Sequence, residues 1–286
     1  MSVRVRALRK AFGAHEVLRG IDLDIAPGEV VGLIGPNGAG KTTLMSCLLG
    51  FLRPNAGEIA IAGRPNDDLD VRRRTGFVPE RMNFDRGATG WNFLRYMARL
   101  AEVKDADAKS RAMLERIGLA GAADKRLSQY SRGMLQRIGM SQALIHEPDY
   151  LFLDEPTSGL DPNGVLLVRD LIAEQKARGA AVLLNSHQLA EIEKVCDRVL
   201  FLHRGVIERA ETLRQVDRIV VAITMLPGFD VQHIPNAQLR DNVLIATVES
   251  EQDIARLVKE LVDGGAGIVD VRKHTTDLES IFRGAA

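Results

Sequence analysis

Between residues 30 and 49 the chain passes from an unbroken apolar run, Val30–Ile34, into Gly35-Pro36-Asn37-Gly38-Ala39-Gly40-Lys41-Thr42-Thr43, and on into the helix-like stretch Lys41–Leu49. No other feature restricts the fold as much. An apolar strand without alternation belongs to a sheet covered on both faces, usually a parallel one. The glycines let the backbone wrap tightly so that its N–H groups point inward, and the following helix start adds partial positive charge. Such a strand–loop–helix is a cradle for phosphate oxygens. Lys41 is placed to reach the β and γ phosphates of a nucleotide, Thr42 to ligate Mg²⁺, and Thr43 to hydrogen-bond the α-phosphate.

A second apolar strand, Tyr150–Leu153, runs into Asp154-Glu155-Pro156. Alone, two acids after a strand usually cap a helix. With the phosphate loop upstream the reading changes, because parallel strands deliver their C-terminal residues to one edge of the sheet. Asp154 then fits an acid that coordinates Mg²⁺, and Glu155 a group that orients the attacking water. A third buried strand, Ala181–Leu184, precedes His187, and Val199–His203 with Val206–Arg209 reads as a hairpin. Ile21, Leu23 and Ile25 alternate with Asp22 and Asp24, as in a half-exposed antiparallel strand. From about residue 84 to 146 the signal is helical throughout. The fold class is α/β: a mixed sheet with an inserted helical subdomain.

Beyond Thr212 the character changes. Arg218–Met225 and Asn242–Val248 read as strands, and Ile254, Leu257, Val258, Leu261 and Val262 fall on one helical face. With Ile268–Lys273 and Leu278–Phe282 these make a small C-terminal α+β domain, 216–286, after a first domain of 1–215.

Lys and Arg total 38, as do Asp and Glu, so no global field favours a polyanion and a dedicated nucleic-acid binder is not expected. No apolar run approaches the roughly 20 residues that span a bilayer, and the start of the chain alternates like a strand. A membrane role therefore calls for a separate spanning partner. Cys47 and Cys196 read as small buried thiols.

The phosphate loop, the acid pair and Ser131-Arg132-Gly133-Met134 together resemble the nucleotide-binding domain of ABC ATPases over about residues 1–212. The resemblance implies a P-loop NTPase that binds ATP with Mg²⁺ through Gly35 to Thr43. It also implies a helix start at Ser131 that meets the γ-phosphate held by a second subunit. Tyr130-Ser131-Arg132-Gly133-Met134 departs from the usual L-S-G-G-Q: Ser131 and Gly133 are kept, while Arg132 replaces a glycine and brings a positive charge to the phosphate. Ser158-Gly159-Leu160-Asp161 resembles the D-loop that couples the two sites. His187 resembles the switch histidine, Phe12 the aromatic that stacks on adenine, and Val17 lies against the same ring. Glu80, after Val78-Pro79, stands where the family has a Gln that touches Mg²⁺.

The implied assembly is two copies of the chain closing on ATP beside a transmembrane permease docked near Glu80 and Arg81–Phe84. The chain would then be peripheral on the cytoplasmic face of the membrane. Glu80 and the Tyr-Ser-Arg-Gly-Met run resemble the subgroup that serves ABC-2-type export permeases. The alternative is a non-transport ABC ATPase that drives a mechanical or soluble complex.

Overall fold

The computed structural model describes residues 2–213, 219–226, 237–240, 242–248 and 250–274. The chain divides into two compact units, Met1–Thr212 and Leu213–Ala286.

In chain order the first unit holds β1 (Val3–Phe12), β2 (His15–Ile25), β3 (Val30–Ile34), α1 (Lys41–Leu48), β4 (Ala56–Ile61), β5 (Arg64–Pro65), α2 (Leu69–Arg73) and β6 (Thr75–Val78). Next come α3 (Gly90–Leu100), α4 (Ala106–Arg116), α5 (Arg132–Leu144), β7 (Tyr150–Asp154), α6 (Pro162–Ala177), β8 (Ala181–Asn185), α7 (Leu189–Val195), β9 (Arg198–His203) and β10 (Val206–Thr212). An antiparallel sheet of order β2-β1-β4-β5 faces a second sheet of order β10-β9-β3-β8-β7-β6. In that second sheet every neighbouring pair is parallel except β9 with β10.

Alternation sets the inner face of the first sheet. Val3 pairs with Ile25 and Val5 with Leu23, and all four are buried. They share one core with Leu33 of β3, Phe152 of β7, Leu183 of β8 and Leu44 of α1. Full burial of a Leu, Ile or Phe side chain contributes about 1.5–3 kcal/mol, more than the roughly 1 kcal/mol net of a ladder hydrogen bond. The apolar stripes therefore decide which way the first sheet turns. β3, β7 and β8 are buried at every position, as their apolar runs require, with polar Asp154 and Asn185 closing β7 and β8.

The stretch between β6 and β7 is helical, and the only strand-like contact there, among the described residues, is an isolated bridge between Thr89 and Arg126. Thr89 caps α3 through the Asn92 N–H, and Ser131 caps α5 through the Met134 N–H, as hydroxyl side chains at helix starts do.

The second unit contains β11 (Ile219–Met225), β12 (Ala237–Arg240), β13 (Val243–Val248), α8 (Glu251–Asp263) and β14 (Ile268–His274), with sheet order β12-β13-β11-β14. Leu257 and Leu261 of α8 pack on Val221, Ile223, Leu244 and Ala246. The expected element Leu278–Phe282 lies outside the described residues. Among the described residues no helix is long and apolar enough to cross a membrane.

Candidate nucleotide site

β3, β8, β7 and β6 are consecutive neighbours in the parallel sheet and end together: Leu33 pairs with Asn185, Asn185 with Asp154, and Leu153 with Val78. Their four C-terminal loops therefore meet on one edge, the place where open α/β sheets bind ligands. A cavity of about 710 Å³ opens there. Gly35, Asn37, Gly38, Gly40, Lys41, Thr42 and Thr43 form one wall, Glu80, Glu155, Ser158, Asn185 and His187 another, and His15 and Val17 close the side.

The loop after β3 needs its first glycine: a Cβ on Gly35 would stand 2.1 Å from the carbonyl oxygen of Leu202. Pro36 and Ala39 shape the turn without lining the cavity, the Ala39 N–H donating to the Pro36 carbonyl at 3.2 Å. Lys41 Nζ donates to the carbonyls of Gly35 and Pro36, at 2.6 and 3.1 Å. Burial pulls its pKa below the ordinary lysine value, with Glu155 and Asp154 drawing it back up.

Asp154 is 5% exposed and accepts a hydrogen bond from Asn185 Nδ2. Burial raises its carboxyl pKa, the Asn185 hydrogen bond opposes that, and the charges of Glu155 and Glu80 push it higher still. The side-chain oxygen of Asn185 is buried without a partner, an acceptor that a water or ligand donor would satisfy. Glu155 sits at φ +51°, a strained value for a residue other than glycine. Its N–H donates to the Asn185 carbonyl at 2.8 Å, and its carboxylate meets His187 Nδ1 at 2.8 Å and the Ser186 hydroxyl at 3.4 Å.

Other expected residues stand apart from the cavity. Ser131, Arg132 and Gly133 open α5, outside its walls. Asp161 caps α6, accepting from the Gly164 N–H at 2.8 Å. Phe12 is half exposed at the end of β1, with Lys10 Nζ 5.2 Å from its ring centre, and does not line the cavity. Sequence reasoning passed over His15, Asn185 and Ser186. Asn185 carried a signal, since it closes an apolar strand just as Asp154 does; His15, which with Glu16 opens β2 straight after the hairpin turn, carried none.

Residues 18–158 match the family described as ABC transporter. The uncharacterized ABC transporter ATP-binding protein YdbJ of Bacillus subtilis is 34% identical, over 98% of this chain and 94% of the relative. The daunorubicin resistance ATP-binding protein DrrA3 of Streptomyces coeruleorubidus is 33% identical, also over 98% of this chain and 94% of its own. The chain belongs to the ABC transporter ATP-binding proteins. A solved ATP-binding subunit of an ABC transporter superposes with TM-score 0.71 at 31% identity, covering 76% of this chain and 92% of that one. The P-loop cassette fold expected from the sequence is thus the observed one. The ABC protein is an ATP-hydrolysing subunit of a transporter and partners with a transmembrane permease.

Proposed function

We propose that two copies of this ABC subunit close on two ATP molecules and that closure drives a permease of the ABC-2 export type. The cavity at the ends of β3, β8, β7 and β6 carries the reading. It gathers the phosphate loop, Glu80, Glu155 and His187, while Ser131 and Gly133 lie elsewhere on the same chain, available to a second copy. In each site Gly35 to Thr43 of one copy wrap the phosphates, and Lys41 leaves its loop carbonyls for the β and γ oxygens. Glu155 orients water, His187 meets the γ-phosphate, and the partner's helix start closes the site. Val17 lies against the base with Phe12 beside it, and Asp161 holds the D-loop at the dimer seam. The name of the Streptomyces relative, a resistance protein, supports export. The site of action is the cytoplasmic face of the membrane, near Glu80 and Arg81–Phe84.

The donors present fit Mg²⁺. Thr42, Asp154 and Glu80 offer hard oxygens, and a cation would offset the burial and the neighbouring charges of Glu155 and Glu80 that together raise the Asp154 pKa. Among the described residues no three His, Cys, Asp or Glu side chains form a metal site by themselves. The ion would thus be shared with phosphate oxygens, as is usual for Mg²⁺. Bound there, it neutralises charge on the phosphates.

The test is Glu155→Gln with Mg·ATP, followed by size-exclusion chromatography with light scattering. A stable dimer that disperses when ATP is removed is the expected result. A variant that binds ATP yet stays monomeric would refute the two-copy site.

A further inference from the structure

Arg132 stands where the related motif has a glycine, and a cation on the first residue of a helix works against the helix dipole. The structure shows what the side chain does. Its Nη2 donates to the hydroxyl of Ser158 in the same chain at 2.7 Å. Its stem lies on Gly159, where φ is +75° and a Cβ would stand 2.5 Å from Arg132 Nε and 2.7 Å from Cδ. One turn further along α5, on the same face, buried Gln136 donates to the carbonyl of Pro156 at 3.0 Å and to that of Glu155 at 3.4 Å. The loop 155–159 is therefore gripped twice by α5: at its catalytic end through Gln136, and at its far end through Arg132.

We infer that Arg132 is a positioning residue: it ties the start of α5 to Ser158 and Gly159 of its own copy, so that the helix end offered to one ATP moves with the Glu155 loop serving the other. This rests on the two-copy site. A guanidinium engaged in this way works through Ser158 and not on the phosphate of the neighbouring site. The arrangement also explains Gly159, because any side chain there would displace the Arg132 stem.

A double-mutant cycle tests it. Steady-state ATP hydrolysis by the full chain is measured for Arg132→Ala, Ser158→Ala and the pair, together with the half-saturating ATP concentration. Each single variant is expected to lower kcat about tenfold, the scale of one hydrogen bond to a charged group. Half-saturation should change by less than about twofold, the mark of lost positioning and not of lost binding. The pair should be no slower than the slower single variant. Losses that multiply in the pair, or Arg132→Ala with wild-type kcat or a loss seen only as weaker half-saturation, would overturn the inference. ATP-driven pairing of the Glu155→Gln chain, measured beside the cycle, separates the two levels. If Glu155→Gln alone binds ATP but does not pair, the two-copy site fails; if it pairs while the cycle multiplies, only the role of Arg132 fails.

Discussion

The Nδ1 of His187 and the Oε2 of Glu155 lie 2.8 Å apart, the ring 73% exposed at the cavity mouth and the carboxylate only 12% exposed beneath it. Glu155 is held from three further directions: by the Asn185 carbonyl at its N–H, by the Ser186 hydroxyl, and by Gln136 at its carbonyl. These contacts stabilise a left-handed backbone that on its own costs about 1–3 kcal/mol. With the carboxylate fixed beneath an exposed imidazole, a phosphate entering at the mouth would meet the ring first.

His187→Ala should accordingly lower kcat about a hundredfold while leaving ATP binding nearly intact, the scale of a positioned acid–base or orienting group. Single-turnover hydrolysis alongside equilibrium binding of a fluorescent ATP analogue separates the two effects. Loss of binding with normal turnover at saturation would place His187 outside the chemistry.

Asp154 predicts an opposition between stability and activity. Its folded pKa is raised, mainly by burial, so the ionised carboxylate disfavours the folded, ATP-free state. That cost is fully present above the folded pKa and vanishes as pH falls towards the unfolded value of about 3.9. Asp154→Asn keeps an acceptor for Asn185 and removes the buried charge. It should melt higher than the wild type at pH 7.5, by about 1 kcal/mol, with the gap narrowing on acidification. Mg²⁺-dependent hydrolysis should meanwhile fall at least about a hundredfold. Calorimetry across pH with parallel ATPase assays checks both signs.

The sequence made the sheet edge legible because its signals are local. Unbroken apolar runs mark buried parallel strands, and the residues just after each run are delivered to one rim, as Lys41 and Glu155 show. Short elements held by few buried groups were not legible. α2 buries only Val71, and its clearest mark is the capping Asp68, whose carboxylate accepts from Asp70 and Val71; β12 has only four residues. In sequence the charge of Arg132 points to phosphate, while in the structure its Nη2 donates to the Ser158 hydroxyl, because sequence does not say where a long flexible side chain lands. Its partner Ser158 lies 26 residues away.

His146 gives a pH dependence in a different window. Its Nε2 lies 3.2 Å from the Thr75 carbonyl, and burial lowers its pKa despite that hydrogen bond. The folded state thus holds the proton less tightly than the unfolded chain, whose histidine titrates near 6.5. Stability is full above about pH 6.5 and declines as pH drops through that value towards the lower folded pKa. His146→Gln, which retains a donor for Thr75, should flatten the fall in melting temperature between pH 7 and pH 5.5. A wild-type slope retained in the variant would assign the effect to other groups.

The two units carry separate cores. Val3, Leu33, Phe152 and Leu183 belong to one cluster, and Val221, Ile223, Leu244 and Leu261 to another. The whole cavity at the sheet edge is built from residues of the first unit. A chain ending at Thr212 should therefore fold and bind Mg·ATP with an affinity within about twofold of the full chain, since no group that would touch the nucleotide is removed. Its melting temperature should stay within about 4 °C, because 1 kcal/mol shifts a unit of this size by roughly 2–4 °C. Scanning calorimetry with titration of a fluorescent ATP analogue would show this. Given intact binding, the comparison that matters is ATP-driven pairing of the Glu155→Gln chain with and without residues 213–286. Weaker pairing in the shorter chain would make the second unit a brace for the dimer, and unchanged pairing would confine it to another task.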